Sequence, residues 1–99
     1  MHLIFRPEAE HELLQAQAWY ESISPGLGLE FAQAAETAVA AALRNPSGHR
    51  RIQDDFRRVL FRKFPYSLVY VYDQAELVVV SCFHHRRKPG TWQSPAGQS

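Results

Sequence analysis

The second half of the chain runs apolar in three bursts. Arg57–Phe64, Tyr66–Tyr72 and Leu77–His84 are each dominated by Val, Tyr, Phe and Leu, residues that suit the pleated, half-buried surface of a sheet. Pro65 lacks a backbone donor and separates the first run from the second. The polar stretch Asp73-Gln74-Ala75-Glu76 separates the second from the third with hairpin chemistry. Three strands with such short links predict an antiparallel meander. In its first strand Val59 and Phe61 share one side and Arg58, Leu60 and Arg62 the other. The apolar pair is expected on the core and the arginines on an uncovered face. The last strand has no polar side, because Leu77, Val79, Ser81 and Phe83 alternate with Val78, Val80, Cys82 and His84. That pattern predicts a central strand covered on both faces.

The first half carries helical periods. His2–Phe5 reads as a short strand, and Arg6-Pro7 breaks it, with Pro7 suited to the first helical position. Glu8, Glu10 and Glu12 follow, acids that favour the start of a helix dipole. Ala9, Leu13, Ala16, Tyr20 and Ile23 recur at three- and four-residue steps, with Trp19 widening the stripe. Ser24-Pro25-Gly26-Leu27-Gly28 ends this helix. A second helix is predicted over Leu29–Leu43, its stripe made of Phe31, Ala35, Ala38 and Ala42 with Val39 and Leu43 beside it. Its many alanines give high propensity and a slim surface that a neighbour can approach closely. Asn45-Pro46-Ser47-Gly48 closes it, and His49–Asp55 reads as a polar connection. The expected architecture is α+β in the order β-α-α-β-β-β, a helical hairpin packed on one face of a small, mainly antiparallel sheet. Residues 1–92 are expected to form one domain, with 93–99 a small, polar, disordered tail.

Composition narrows the setting. No apolar run reaches the roughly 18 residues of a bilayer span, and the N-terminus has no signal-peptide pattern. The single cysteine, Cys82, has no partner for an internal disulfide and lies in a strand. A cytoplasmic protein with no membrane association is expected. The net charge of +1 hides a split. Residues 1–49 hold two cations against six acids, net −4, and residues 50–99 hold nine against four, net +5. One reading is a face built for an anionic partner; the other is solvating acids on helices and edge-blocking cations on strands. The meander ends in the cationic lip His84-His85-Arg86-Arg87-Lys88.

Several features recur together: the strand and helix order, Trp19-Tyr20 late in the first helix, and the Gly-rich interhelical turn. To these are added Arg58 early in the second strand, the Phe64-Pro65-Tyr66 turn, and a final strand ending in His84, Arg86, Arg87 and Pro89 before Trp92. On these residues the chain resembles, from Leu3 to Trp92, the RelE/ParE toxin superfamily. The resemblance implies the toxin of a type II toxin–antitoxin module, which arrests growth, serves plasmid stabilisation and is neutralised by a cognate antitoxin encoded beside it. Operator DNA would be reached only through that antitoxin. Two targets follow from the two branches: DNA gyrase for ParE-like members, and the ribosome with its mRNA for RelE-like endonucleases. A non-toxic interaction module retaining the fold is a third reading.

The branches ask different chemistry of the same residues. Metal-free RNA cleavage needs an acid, a base and cations on the phosphate. Here His84 or His85 would transfer protons, Arg58 would belong to the catalytic set, and Arg58, Arg62, Arg86 and Arg87 would hold phosphate. Asp54 or Asp55 would stand where some family nucleases place a carboxylate base. The tyrosine that nuclease members often carry is absent after His85, and so is the lysine-rich set of the RelE branch. The long helical hairpin, the absence of that tyrosine and the His-x-Arg ending look more like the ParE branch, which implies Arg58, Arg62, Arg86, Arg87, Lys88 and Trp92 as a target- or nucleic-acid-binding surface. Trp92 reads either as a lid on the core or as a stacking platform. No cofactor is expected, and no metal at Cys82-x-His84-His85, since adjacent strand residues point opposite ways.

Overall fold

The computed structural model describes residues 1–86. Its elements are β1 (His2–Phe5), α1 (Pro7–Ile23), α2 (Leu27–Arg44), a single 3-10 turn (Pro46–Gly48), β2 (Arg51–Gln53), β3 (Phe56–Leu60), β4 (Tyr66–Tyr72) and β5 (Glu76–His84). The strands form one sheet in the order β1-β5-β4-β3-β2. β3, β4 and β5 are the expected antiparallel meander, and β1 lies parallel to β5 on its outer side. The tail 93–99 lies outside the described residues.

The second helix starts at Leu27, inside the expected interhelical turn, and ends at Arg44, and two stretches of the sheet also depart from the sequence pattern. The polar connection expected over 49–55 contains β2, an edge strand on β3 built around the single apolar residue Ile52. Its hairpin turn is closed by Asp54 at φ 48, a left-handed conformation that aspartate tolerates better than most residues. The strand expected over Arg57–Phe64 stops at Leu60. Lys63 sits at φ 70, outside the strand region.

α1 packs against β5, and α2 against β3 and β4. Ala9 and Ala16 of α1, and Phe31, Ala35, Ala38 and Ala42 of α2, are buried with Val59, Phe61, Leu68, Tyr70, Leu77, Val79 and Cys82 of the sheet side. Tyr20 is the last residue of the α1 stripe to join this core, with its ring against Phe31, Phe64 and Tyr66. Beyond it Ile23 is 55% exposed, and Trp19, off the stripe, is 58% exposed; neither is the core residue that periodicity predicts.

The hairpin of helices is held at Gly28. A Cβ there would stand 2.8 Å from the carbonyl oxygen of Gln17 and 2.9 Å from Cβ of Glu21, closer than a real side chain tolerates. The Glu21 carboxylate also accepts from the backbone N–H groups of Gly26 and Gly28, meeting donors that a helix start leaves free. Gly28→Ala is therefore expected to cost about 1–3 kcal/mol by forcing α1 and α2 apart. Chemical denaturation checks this; a loss under about 0.5 kcal/mol would show that the helices can separate freely.

β5 contains a bulge. Val79 pairs with Tyr70 but Ser81 pairs with Val69, so Val80 is an extra residue on this strand. The alternation predicted from the sequence is broken at this point. Leu77, Val79 and Cys82 face the helices, whereas Val80 and Phe83 lie with Val69 on the other face. Glu12 of α1 spans the irregularity, accepting from the Ser81 hydroxyl (3.0 Å) and the Cys82 backbone N–H (2.9 Å). The face away from the helices has its own apolar cluster, with Ile52, Phe56, Val71 and Val78 packed around Val69, Val80 and Phe83. β5 thus has apolar clusters on both sides, as its unbroken hydrophobic run predicts.

Candidate functional site at the basic face and end of the sheet

Successive arginines on β3 have opposite fates. Arg57 shares the helix side with Val59 and donates to the carbonyls of Ser47 and His49, at 3.3 and 2.8 Å. Its guanidinium also lies over the Tyr72 ring. Tyr70 donates its hydroxyl to Pro46, and His49 donates Nε2 to Ala41. These bonds pin the link between α2 and β2 onto the sheet. Burial pushes the Tyr70 hydroxyl up to about 12 against the opposing pull of Arg57, so this phenol is a structural donor. Arg58 points the other way: it pairs across to Val69 and stands half-buried at the apolar cluster of the second face.

Arg62 does not share that face. With β3 ended at Leu60, it lines a recess of about 340 Å³ with Lys63, Phe64 and the α2 residues Glu30, Gln33 and Thr37. The two-residue period that puts Arg58 and Arg62, four residues apart, on one face in the sequence pattern fails because the backbone beyond Leu60 is no longer a strand.

The two histidines diverge at the end of β5. His84 stacks edge-on to Tyr66, centroids 5.1 Å apart, and its Nδ1 accepts from the Arg86 backbone N–H. His85 donates its backbone N–H to Pro65 and places Nε2 2.9 Å from the hydroxyl of Ser67. Ser67 is fully buried, so an exposed ring is oriented by an interior group. Arg86 is exposed beside it. Ser67 was not among the residues that the sequence marks; its only signal is a small polar side chain inside an apolar strand. Arg87, Lys88 and Trp92 lie outside the described residues.

Register gives the spacing of these groups. His84 is opposite Tyr66 and Arg58 opposite Val69, so His85 and Arg58 differ by roughly four residues, about 13 Å along the strands, and by two strand spacings, about 10 Å across. Asp54 and Asp55 sit at the β2–β3 turn, the far end of β3, on the order of 20 Å along the sheet from His85. Histidines, arginine and carboxylates therefore occupy separate parts of the sheet. Among the described residues no group of three or more His, Cys, Asp or Glu is placed to hold a metal ion, and no helix is long and apolar enough to cross a membrane.

A helical hairpin on a five-stranded mixed sheet is the build of a RelE/ParE-type toxin. The family described as ParE toxin of type II toxin-antitoxin system, parDE, matches residues 3–89, and the chain belongs to it. Among solved structures, the chain is similar to the chromosomal ParDE TA system from P. aeruginosa. The TM-score is 0.73 at 18% identity, covering 85% of this chain and 95% of that one, a likeness of fold. No curated protein matches the chain significantly.

Proposed function

We propose that this toxin acts in the cytoplasm as a ParE-like poison of DNA gyrase, neutralised by a cognate antitoxin, and that its basic face and lip dock on the target without cleaving RNA. The observation that carries the reading is the dispersal of the candidate acid–base groups. His84 and His85 face opposite sides of the sheet, the backbone of Arg58 is about 16 Å from that of His85 by strand geometry, and the backbones of Asp54 and Asp55 are further still. A general acid and base must both reach one phosphodiester within hydrogen-bond distance; docking asks only for a shaped, charged surface. The RelE-like reading, mRNA cleavage on the ribosome, is favoured by one feature, the ring of His85 held in place by buried Ser67.

Expression of the chain alone separates these readings. Growth is expected to arrest, with loss of DNA supercoiling preceding loss of translation, and co-expression of the antitoxin is expected to restore growth. Translation failing first, with cut mRNA, would assign the protein to the endonuclease branch. Normal growth at high soluble expression would leave only the interaction module.

A further inference from the structure

We propose that the outer edge of β3 at Leu60 receives an extended, acidic segment of the antitoxin as an added β-strand. The inference rests on the reading that a cognate antitoxin binds this chain, and it names where and how.

The register defines the open edge. Phe61 donates its N–H to Tyr66 of the neighbouring strand segment, and Val59 and Arg57 are opposite Leu68 and Tyr70. The odd-numbered residues of β3 thus bond inward, and Arg58 and Leu60 turn their N–H and C=O groups outward. Arg58 finds a partner there, donating to the carbonyl of Arg50 at 3.0 Å. One step further the flanking chain has left the sheet. Gly48, which would continue the pairing opposite Leu60, lies in the 3-10 turn and donates its N–H to Asn45. Among the described residues no hydrogen bond meets the outward N–H or C=O of Leu60. Its side chain is 54% exposed.

The divergence opens a recess of about 490 Å³ lined by Gly48, His49, Arg50, Arg58, Val59 and Leu60. Its charge is one-sided. Arg50 and Arg58 line it, and Arg51, next in the sequence to Arg50, is exposed. The nearest acids in sequence, Asp54 and Asp55, are at the opposite end of the β2–β3 hairpin. Arg57 takes no part, being committed to Ser47 and His49.

These features select a polypeptide over a nucleic acid. Leu60 offers a donor and an acceptor side by side, which a peptide backbone matches with an acceptor and a donor. A phosphodiester only accepts, and would leave the Leu60 carbonyl unmet. An apolar residue opposite Leu60 would lie on its side chain, and acids flanking it would meet Arg50 and Arg58.

Amide exchange in the complex with the full-length antitoxin tests the site. The Leu60 amide is expected to exchange at least about tenfold more slowly in the bound wild-type protein than in the free one. Leu60→Pro removes only an outward N–H, a position where an edge strand accepts proline, and is expected to weaken the antitoxin about tenfold or more. Leu60→Ala keeps the N–H and should weaken it less. Should the proline variant fail to fold, the wild-type exchange measurement and Arg50→Glu/Arg58→Glu, expected to weaken binding about tenfold, carry the test. Tight antitoxin binding with Leu60 still exchanging freely overturns this inference and leaves the antitoxin reading intact. No antitoxin binding at all overturns both. Protection of Leu60 by duplex DNA in the absence of antitoxin overturns the choice of a peptide.

Discussion

Reversing Arg86 and Arg87 to glutamate is expected to abolish growth arrest at an expression level where His84→Gln and His85→Gln still arrest. Arg86 is exposed directly after the pinned histidine, and Arg87 follows it in the sequence. If the lip docks on an anionic or acid-bearing target, inverting both charges sets like against like, which slows encounter and weakens the complex by several kcal/mol. Glutamine at 84 or 85 keeps the approximate shape of the side chain and a hydrogen-bonding end, so docking should survive it. A proton-transferring histidine behaves otherwise: losing a general acid or base costs about 10² to 10⁴ in rate, enough to erase arrest at modest induction. Growth curves against inducer, with soluble protein quantified for each variant, decide the matter. Arrest that survives Arg86→Glu/Arg87→Glu and vanishes with either glutamine variant would make this protein an RNase.

What the sequence made readable is what repeats. Phe31, Ala35, Ala38 and Ala42 return at helical steps over three turns, and all four are buried. Val59 and Phe61 predict the covered side of β3, and both are in the helix-facing core. The α+β order, the hairpin of helices and the meander follow from such runs. β2 did not show, because three residues around one isoleucine carry no period and owe their strand state to the β3 edge. Nor did the early end of β3, where apolar residues continue to Phe61 and Phe64 while the backbone turns away at Lys63.

The candidate site was less legible, for a related reason. Two adjacent arginines look alike in a sequence, yet strand alternation places Arg57 against carbonyls of the α2–β2 link and Arg58 at the opposite face. Which is structural depends on where Ser47 and His49 fall in space, and no local pattern encodes that. Ser67 became visible only when β4 and β5 were paired, because its partner His85 is eighteen residues away. The lip itself was readable as a charge run, and its histidines fall on opposite faces as strand geometry requires.

The bulge in β5 is the largest departure from simple alternation, and it sets which side chains reach the second face. Without Val80 as an extra residue, Phe83 and His85 would share the side of Val79, among the helices; with it they turn to the face that carries Arg58 and Ser67. Such a bulge leaves backbone groups without ladder partners, and Glu12 supplies an acceptor to both the Ser81 hydroxyl and the Cys82 N–H, the latter in a residue only 1% exposed. Glu12→Ala is expected to cost about 2–4 kcal/mol, from the loss of two hydrogen bonds to a carboxylate and a buried N–H left without this acceptor. Glu12→Gln retains a carbonyl oxygen on a side chain of the same length and should recover about half of the loss. The fold is small, so a drop of that size consumes much of its stability, and the register downstream of Val80 is expected to loosen with it. Denaturation midpoints report the cost. Amide exchange at Cys82 and Phe83, faster in Glu12→Ala than in Glu12→Gln while β3 is unchanged, reports the register. A Glu12→Ala protein within about 0.5 kcal/mol of the parent, with β5 exchange unaltered, would show that the bulge is held by the sheet alone and that α1 has no part in turning His85 toward the site.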